Sequence, residues 1–368
     1  MNLALCHEWL GDRTGSEKTF EAMALATPTA DLYALTWDRS AGFAFGGRTP
    51  ATTFLDRVAW ARERRQVQLP LMPLAWRYAT RRRYDLVVTS SHACAKGFWP
   101  ARAARHLCYC YTPMRYVWLP DVDSRARHGP FTAIPRAALR AWDRRSADWV
   151  DEFAAISGAV RARIERFYGR PARVIHPPVD TDYFTPPAEG GIGAGGRGEF
   201  VLVASRFVPY KRIDLAMRAC HALRYPVVVA GAGPDEGALR ALARELGASV
   251  RFVIGPSDDE LRELYRTARA LVFPAFEDFG IVPVEAQACG TPVLGLAAGG
   301  SLDTVQDGVT GVLVDDADVV SVRDGLERLL GLGLSAGACR RNAERFSTGR
   351  FLDEFQGWVA AHAGVPAS

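Results

Sequence analysis

Between residues 200 and 314, short apolar runs alternate with segments of helical spacing. FVLVAS (200–205), PVVVA (226–230), VRFVI (250–254), ALVFPA (270–275) and PVLGL (292–296) read as buried strands. KRIDLAMRACHAL (211–223), DEGALRALARELG (235–247), SDDELRELYRTA (257–268) and VPVEAQACG (282–290) read as helices, with Gly247 as a stop signal and Ser257 as an N-cap. DGVTGVLV (307–314) reads as a turn and a further strand. Parallel strands cannot be joined by hairpins and need a crossover, which a helix supplies. This rhythm predicts a doubly wound parallel sheet.

The first half repeats the pattern less cleanly. LALCHEWL (3–10), DLYALTW (31–37), YDLVVTSS (84–91), RHLCYCY (105–111) and VDEFAAIS (150–157) read as strands, and GSEKTFEAMALA (15–26) as a helix. PPAEGGIGAGGRGE (186–199) is dense in Gly and Pro, has no periodicity and reads as a linker. The expected organisation is an N-terminal domain over 1–185, a linker over 186–199 and a C-terminal domain over 200–347. A final amphipathic helix lies within 348–368 and can pack back on the N-terminal domain. With 368 residues, 48% of them apolar, the chain can fill two cores. Two such α/β domains facing across a cleft would place ligands at the carboxyl ends of their strands.

The seven cysteines are scattered, which predicts a reducing compartment and no disulfide framework. Cys108 and Cys110 would share a face of one strand, without a second Cys or His pair at zinc-finger spacing. The N-terminus carries no signal-peptide pattern, and no apolar run is long enough to span a membrane, so a cytoplasmic protein is expected. Residues 1–185 hold 27 Lys and Arg against 18 Asp and Glu, while the rest hold 18 against 23. Arg62, Arg64 and Arg65, and then Arg81, Arg82 and Arg83, flank an apolar stretch ending at Trp76. That composition suits either a solvated Arg-rich face or peripheral contact with an anionic membrane. No nucleic-acid-binding motif accompanies the charge.

The strongest chemical signal is PAFEDFGIVPVEAQACGTPV (274–293). A strand ends near Pro274 and a helix opens near Val282. Gly280 permits close approach of a ligand, and the N–H groups of Phe279, Gly280, Ile281 and Val282 would form an anion site suited to a pyrophosphate. Glu277 and Glu285 flank this site. Carboxylates beside a phosphate need donors of their own, and the paired hydroxyls of a hexose and a ribose supply them. In SRFVPYKR (205–212), Arg206 and Lys211 could neutralise a diphosphate leaving group without a metal ion. Gly15 and Ser16, between the first strand and first helix, could offer backbone N–H groups. No G-x-G-x-x-G follows the first strand, which argues against a dinucleotide site. Three D-x-D patterns occur, at Asp121/Asp123, Asp180/Asp182 and Asp316/Asp318, and their number makes each weak as a metal signal.

These features together resemble the family 4 retaining glycosyltransferases of the GT-B fold. The resemblance rests on E-x7-E at Glu277 to Glu285, the Arg206/Lys211 pair, AGAGP (230–234) and VEAQACGTPV (284–293), and covers nearly the whole chain. SSHACAKGF (90–98) and CYTPMRYVW (110–118) look like the WbaZ-like mannosyltransferase branch of O-antigen and exopolysaccharide assembly. The resemblance implies α/β architecture with two Rossmann-like domains, GDP-mannose as donor, a lipid-linked saccharide as acceptor and no cofactor. It also implies that Glu277 contacts the hexose, Glu285 the ribose, and Arg206 and Lys211 the diphosphate. His92 would reach the hexose and phosphate, and the stretch from Ile254 would read the base. Two positions depart from the family pattern. Gly15-Ser16-Glu17 stands where G-G-x-E is usual, and Tyr111 stands where the branch usually has His before T-P-M-R-Y.

The reaction implied is metal-independent transfer with retention, in which the acceptor attacks from the leaving-group face and the β-phosphate takes its proton. Arg206, Lys211 and the helix N-terminus would stabilise the departing diphosphate. Other readings of the same residues are a transferase using UDP- or another NDP-sugar, a sugar-nucleotide epimerase, and a non-catalytic sugar-nucleotide-binding partner.

Overall fold

The computed structural model describes residues 1–11, 13–57, 68–119, 133–187, 198–247 and 249–363. Arg62, Arg64, Arg65, Asp121, Asp123 and most of the 186–199 segment lie outside these residues. Contacts divide the chain into two compact units, Met1–Pro178 with Gly349–Ser368, and Val179–Thr348.

The first unit is built on β1 (Leu3–Leu10), β2 (Asp31–Trp37), β3 (Ala51–Thr52), β4 (Leu86–Ser91), β5 (Arg105–Cys110), β6 (Glu152–Ala155) and β7 (Ala172–Val174). They form one seven-stranded parallel sheet in the order β3-β2-β1-β4-β5-β6-β7. β1, β4 and nearly all of β2 and β5 are buried throughout, as strands covered on both faces must be. Strands β3 and β7 escaped the sequence reading because two or three residues carry no measurable periodicity. The helices Met72–Arg77, Ala133–Ala147 and Gly158–Tyr168 were not anticipated either. In Met72–Arg77, Trp76 is fully buried and packs on Phe98 at 5.7 Å between ring centroids. It therefore does not belong to the apolar surface expected around it.

Behind β4, Lys96 is enclosed with its Nζ on the carboxylate of Asp143 and within 3.2 Å of the Ala93 carbonyl. The same carboxylate accepts the Trp118 indole N–H and the Tyr168 hydroxyl, both at 2.7 Å. Removing one partner of such a pair leaves an uncompensated buried charge.

The second unit holds β8 (Val201–Ala204), β9 (Val227–Gly231), β10 (Val250–Ile254), β11 (Ala270–Phe273), β12 (Val293–Leu296) and β13 (Gly311–Val314). They form a parallel sheet in the order β10-β9-β8-β11-β12-β13. Its apolar core joins Val201, Val203, Val229, Val272 and Leu294 of the sheet to Ile213, Met217 and Leu326 of the covering helices. Helix Asp258–Thr267 opens with a complete capping box between Ser257 and Glu260. Gly247, at φ +57°, ends helix Glu236–Leu246.

Residues 179–185 belong to the second unit, although the sequence places them in the first. Val179 N–H donates to the Phe346 carbonyl at 2.9 Å. Arg340 Nη1 donates to the carbonyls of Thr181 and Phe184, and Arg266 Nε to that of Thr185. The last helix, Thr348–Ala360, buries Phe351, Phe355 and Trp358. Phe351 meets Tyr109, and Gln356 donates to the Ala26 carbonyl, so this helix packs on the first unit.

Replacing Lys96 with Met strands Asp143 in the core. The expected cost is about 3–5 kcal/mol, read from urea unfolding of the intact chain; a loss below about 1 kcal/mol would show that the pair carries little.

Candidate functional site

Both sheets reverse strand order at one place, between β1 and β4 in the first unit and between β8 and β11 in the second. Loops leaving the carboxyl ends of such neighbours diverge and leave a crevice where ligands bind. Most of the residues singled out from sequence lie on these loops or open the helices that follow them, while Ile254 ends β10 and Glu285 lies within a helix. Gly15 and Ser16 follow β1, His92 follows β4, Arg206 and Lys211 follow β8, and Glu277 to Val282 follow β11.

In the second unit the loop after β8 does not run straight into a helix. Pro209–Lys211 forms a tight 3-10 turn, Arg212 adopts φ +52°, and the helix starts at Ile213. A left-handed non-glycine residue is costly and tends to persist where surroundings over-determine it. This turn brings Lys211 Nζ to 2.6 Å from Glu277 Oε1, with both side chains largely covered. Lys211 also lies over the Phe273 ring at 5.3 Å. Arg206 is exposed and donates to the Tyr210 hydroxyl at 3.1 Å. The pair read together in sequence thus divides in the structure: Lys211 is tied to Glu277, and Arg206 faces solvent.

Gly280 precedes helix Ile281–Ala288 at φ +93°. The start of a helix leaves its first N–H groups without intrahelical acceptors. Pro283 is the third helical residue and has no N–H, so Ile281 and Val282 supply the donors of the first turn. Glu285, one turn in, accepts the Tyr265 hydroxyl at 3.0 Å through Oε2. Burial, reinforced by Glu285, pushes the Tyr265 phenol well above its ordinary range, so it stays a donor. Ile254 ends the edge strand β10, two strands from β8, and is 43% exposed.

The loop geometry rests on glycines that sequence reasoning left unassigned. A Cβ on Gly300 would lie 2.2 Å from Phe279 Cα, and one on Gly299 2.2 Å from the Glu277 carbonyl oxygen. Gly300 N–H donates to that same carbonyl at 2.9 Å. Beneath the Arg206 turn, a Cβ on Gly231 would meet the Ser205 carbonyl at 1.8 Å, and one on Gly233 the Phe207 carbonyl at 2.4 Å. In each case the obstacle is backbone, which cannot rotate away. The GG of AAGGS and the GAG of AGAGP are the signals that could have found them.

In the first unit, Ser16 is fixed from behind. Tyr111 donates its hydroxyl to the Ser16 carbonyl at 2.9 Å and lies 3.0 Å from Ser90 Oγ. Burial raises this phenol far above its usual range and keeps it neutral. Glu17 is enclosed and accepts the hydroxyls of Thr14 and Ser16. His92, partly covered, packs edge-on against Trp9 with centroids 4.6 Å apart. The residue sequence reasoning missed is Glu8: wholly buried in β1, it gathers the loop that carries His92.

Among the described residues, no group of three or more His, Cys, Asp or Glu side chains is arranged to hold a metal ion. Asp180 caps its own turn through the Tyr183 N–H, and Asp318 caps a helix through the Ser321 N–H. Cys108 and Cys110 are both buried in β5.

Residues 29–183 match the family described as Glycosyltransferase Family 4, and residues 191–346 that described as Glycosyl transferases group 1. Together these segments take in most of the chain. These two matches support a family 4 glycosyltransferase. The chain is 40% identical over 173 residues to a D-inositol 3-phosphate glycosyltransferase of Mycobacterium sp. (strain KMS), covering 44% of this chain and 39% of that protein. A protein of the same description from Mycobacterium bovis (strain BCG / Pasteur 1173P2) is 35% identical over 198 residues, 50% of this chain and 40% of the relative. The matches thus span about two fifths of these relatives' lengths. Among solved structures, Anabaena Alr3699/HepE in complex with UDP and glucose superposes with a TM-score of 0.70 at 18% identity, over 98% of this chain and all of that one. Sucrose-phosphate synthase from Thermosynechococcus elongatus gives 0.75 at 17% identity, over 97% and 98%. At such identities the likeness establishes the fold, which is GT-B.

Placing Ala at Gly300 forces the Glu277–Gly280 backbone to move. A folded protein destabilised by about 1–3 kcal/mol is expected, as for other overpacked sites, read from the thermal unfolding midpoint; an unchanged midpoint would show the loop to be compliant.

Proposed function

We propose that this chain transfers a hexose from a nucleoside diphosphate sugar to a saccharide acceptor, with retention and without a metal ion. The observation that carries the reading is the convergence, at the β8/β11 switch point, of an exposed Arg206, the Lys211–Glu277 pair and a glycine-opened helix N-terminus. Cations and helix N–H groups suit a diphosphate, while Glu277 and Glu285 suit hydroxyls. Lys211 pairs with Glu277. A bound diphosphate would compete for Lys211 and leave Glu277 to accept hexose hydroxyls. Glu285, held by Tyr265, would take the hydroxyls of a ribose. Catalysis is then positioning plus stabilisation of the departing diphosphate.

For the donor, the resemblance to the WbaZ-like branch supports GDP-mannose with a lipid-linked acceptor. A UDP-sugar is the competing donor, supported by neighbours solved with UDP and with UDP-glucose. A thermal-shift panel of GDP-, UDP-, ADP- and dTDP-sugars decides between them: stabilisation by a UDP-sugar and none by GDP-mannose would remove the mannosyl reading. Arg206→Ala and Lys211→Ala should each slow turnover by about 10²–10³-fold with activity persisting in chelator. Release of free nucleoside diphosphate only when acceptor is present would favour transfer over an epimerase, and function retained with Arg206, Lys211, Glu277 and Glu285 all replaced by Ala would favour a non-catalytic binding partner.

We also propose that the first unit meets an anionic membrane surface. Leu71, Leu74 and Tyr78 are 48%, 47% and 69% exposed on one side of helix Met72–Arg77, while Met72, Ala75 and Trp76 fill the core on the other. Arg77, Arg81, Arg82 and Arg83 stand exposed beside them. Among the described residues no helix is long and apolar enough to cross a membrane. The protein should float with phosphatidylglycerol vesicles and not with phosphatidylcholine ones, and Leu74→Glu with Tyr78→Glu should abolish flotation. Equal flotation of that double variant would place the contact elsewhere.

A further inference from the structure

Glu8 is the one residue of β1 whose carboxylate is wholly enclosed yet engaged by a loop on the neighbouring strand. Its Oε1 accepts the N–H groups of His92, Ala93 and Ala95 at 3.2, 2.8 and 2.9 Å, and the Ser91 hydroxyl at 3.1 Å. These donors explain how an acidic side chain persists at 0% exposure, since a buried carboxylate needs charge-assisted hydrogen bonds. Its other oxygen, Oε2, is equally buried and has no well-aligned donor. Nδ1 of His92 lies 3.3 Å from it. A small rotation of the imidazole about its χ2 would complete that bond. Lone pairs of a buried carboxylate are seldom left unmatched, so the balance favours a proton on Nδ1.

We propose that Glu8 is a positioning residue that holds His92 with its proton on Nδ1, leaving Nε2 as a hydrogen-bond acceptor. Which ring nitrogen is protonated is set by the bond the other makes. Free neutral imidazole prefers the proton on Nε2, so the protein is imposing the less favoured form. The functional consequence rests on the hexose contact that the family resemblance implies for His92, and it sets aside the phosphate contact implied with it. An Nε2 lone pair accepts a sugar hydroxyl, whereas an Nε2–H would donate and select a phosphate oxygen or carbonyl instead. The Trp9 edge contact and the Glu8-bound backbone of residues 92–95 hold the ring in place for that choice. Glu8 therefore serves both halves of the device: one oxygen builds the loop and the other sets the tautomer.

Two-bond ¹H–¹⁵N correlation spectra of the full chain labelled at histidine, recorded at mildly alkaline pH, read the tautomer directly. His92 is assigned by its loss in His92→Gln. The native protein should show His92 with protonated Nδ1 and bare Nε2. In Glu8→Gln the amide oxygen can still accept from the loop while its NH₂ faces Nδ1, so the two nitrogens should exchange their chemical-shift positions. A native spectrum with the proton on Nε2 overturns the proposal, and so does a folded Glu8→Gln protein whose His92 pattern is unchanged. The native spectrum suffices if Glu8→Gln fails to fold. Donor turnover in His92→Gln is the separate test of His92's role: normal turnover there removes the functional reading and leaves the tautomer assignment standing.

Discussion

A parallel sheet whose strand order reverses must send two adjacent loops in opposite directions, and most of the candidate site depends on that divergence. At β8 and β11 it places the Arg206–Lys211 turn beside the Glu277–Gly280 turn. At β1 and β4 it sends the Gly15–Ser16 segment and the His92 loop out from adjacent strands. The strands contribute one side chain behind the candidate site, Glu8, which holds the His92 loop. They fix where four loops begin, and the loops are shaped by what lies behind them.

What lies behind them is of two kinds. In the second unit it is absence of side chain: Gly231, Gly233, Gly299 and Gly300 let backbone rest on backbone at distances no Cβ would permit. In the first unit it is buried polar chemistry. Glu8 gathers four donors, Tyr111 holds the Ser16 carbonyl, and the Lys96–Asp143 pair lies under the same 93–97 segment. Both devices stiffen a loop, but they fail differently. An added methyl displaces the glycine-backed loops, whereas loss of a partner leaves a buried charge in the other unit.

Much of the candidate site's local geometry was legible in the sequence because its signals are local. Gly280 before an apolar helix, carboxylates on either side of it, and cations after a strand are patterns of neighbouring residues. The interactions that orient those groups are long-range and were not legible. Nothing in SRFVPYKR says that Arg212 turns left-handed and delivers Lys211 to Glu277. Nothing in CYTPM says that Tyr111 reaches back to Ser16, far along the chain. Trp76 shows the limit from the other side: beside Arg clusters it read as surface, and packing against Phe98 made it core.

The sequence by itself determined the class of fold, since alternating apolar runs and helix-spaced segments at short intervals admit little besides crossovers in parallel sheets. It also determined which residue types stand at the strand ends. Tertiary structure decided the order of the strands, the return of the last helix to the first unit and the pairing of Glu8 with the His92 loop. Those depend on which surfaces meet after the chain has folded, and burial and hydrogen-bond satisfaction between distant residues leave no periodic trace along the chain.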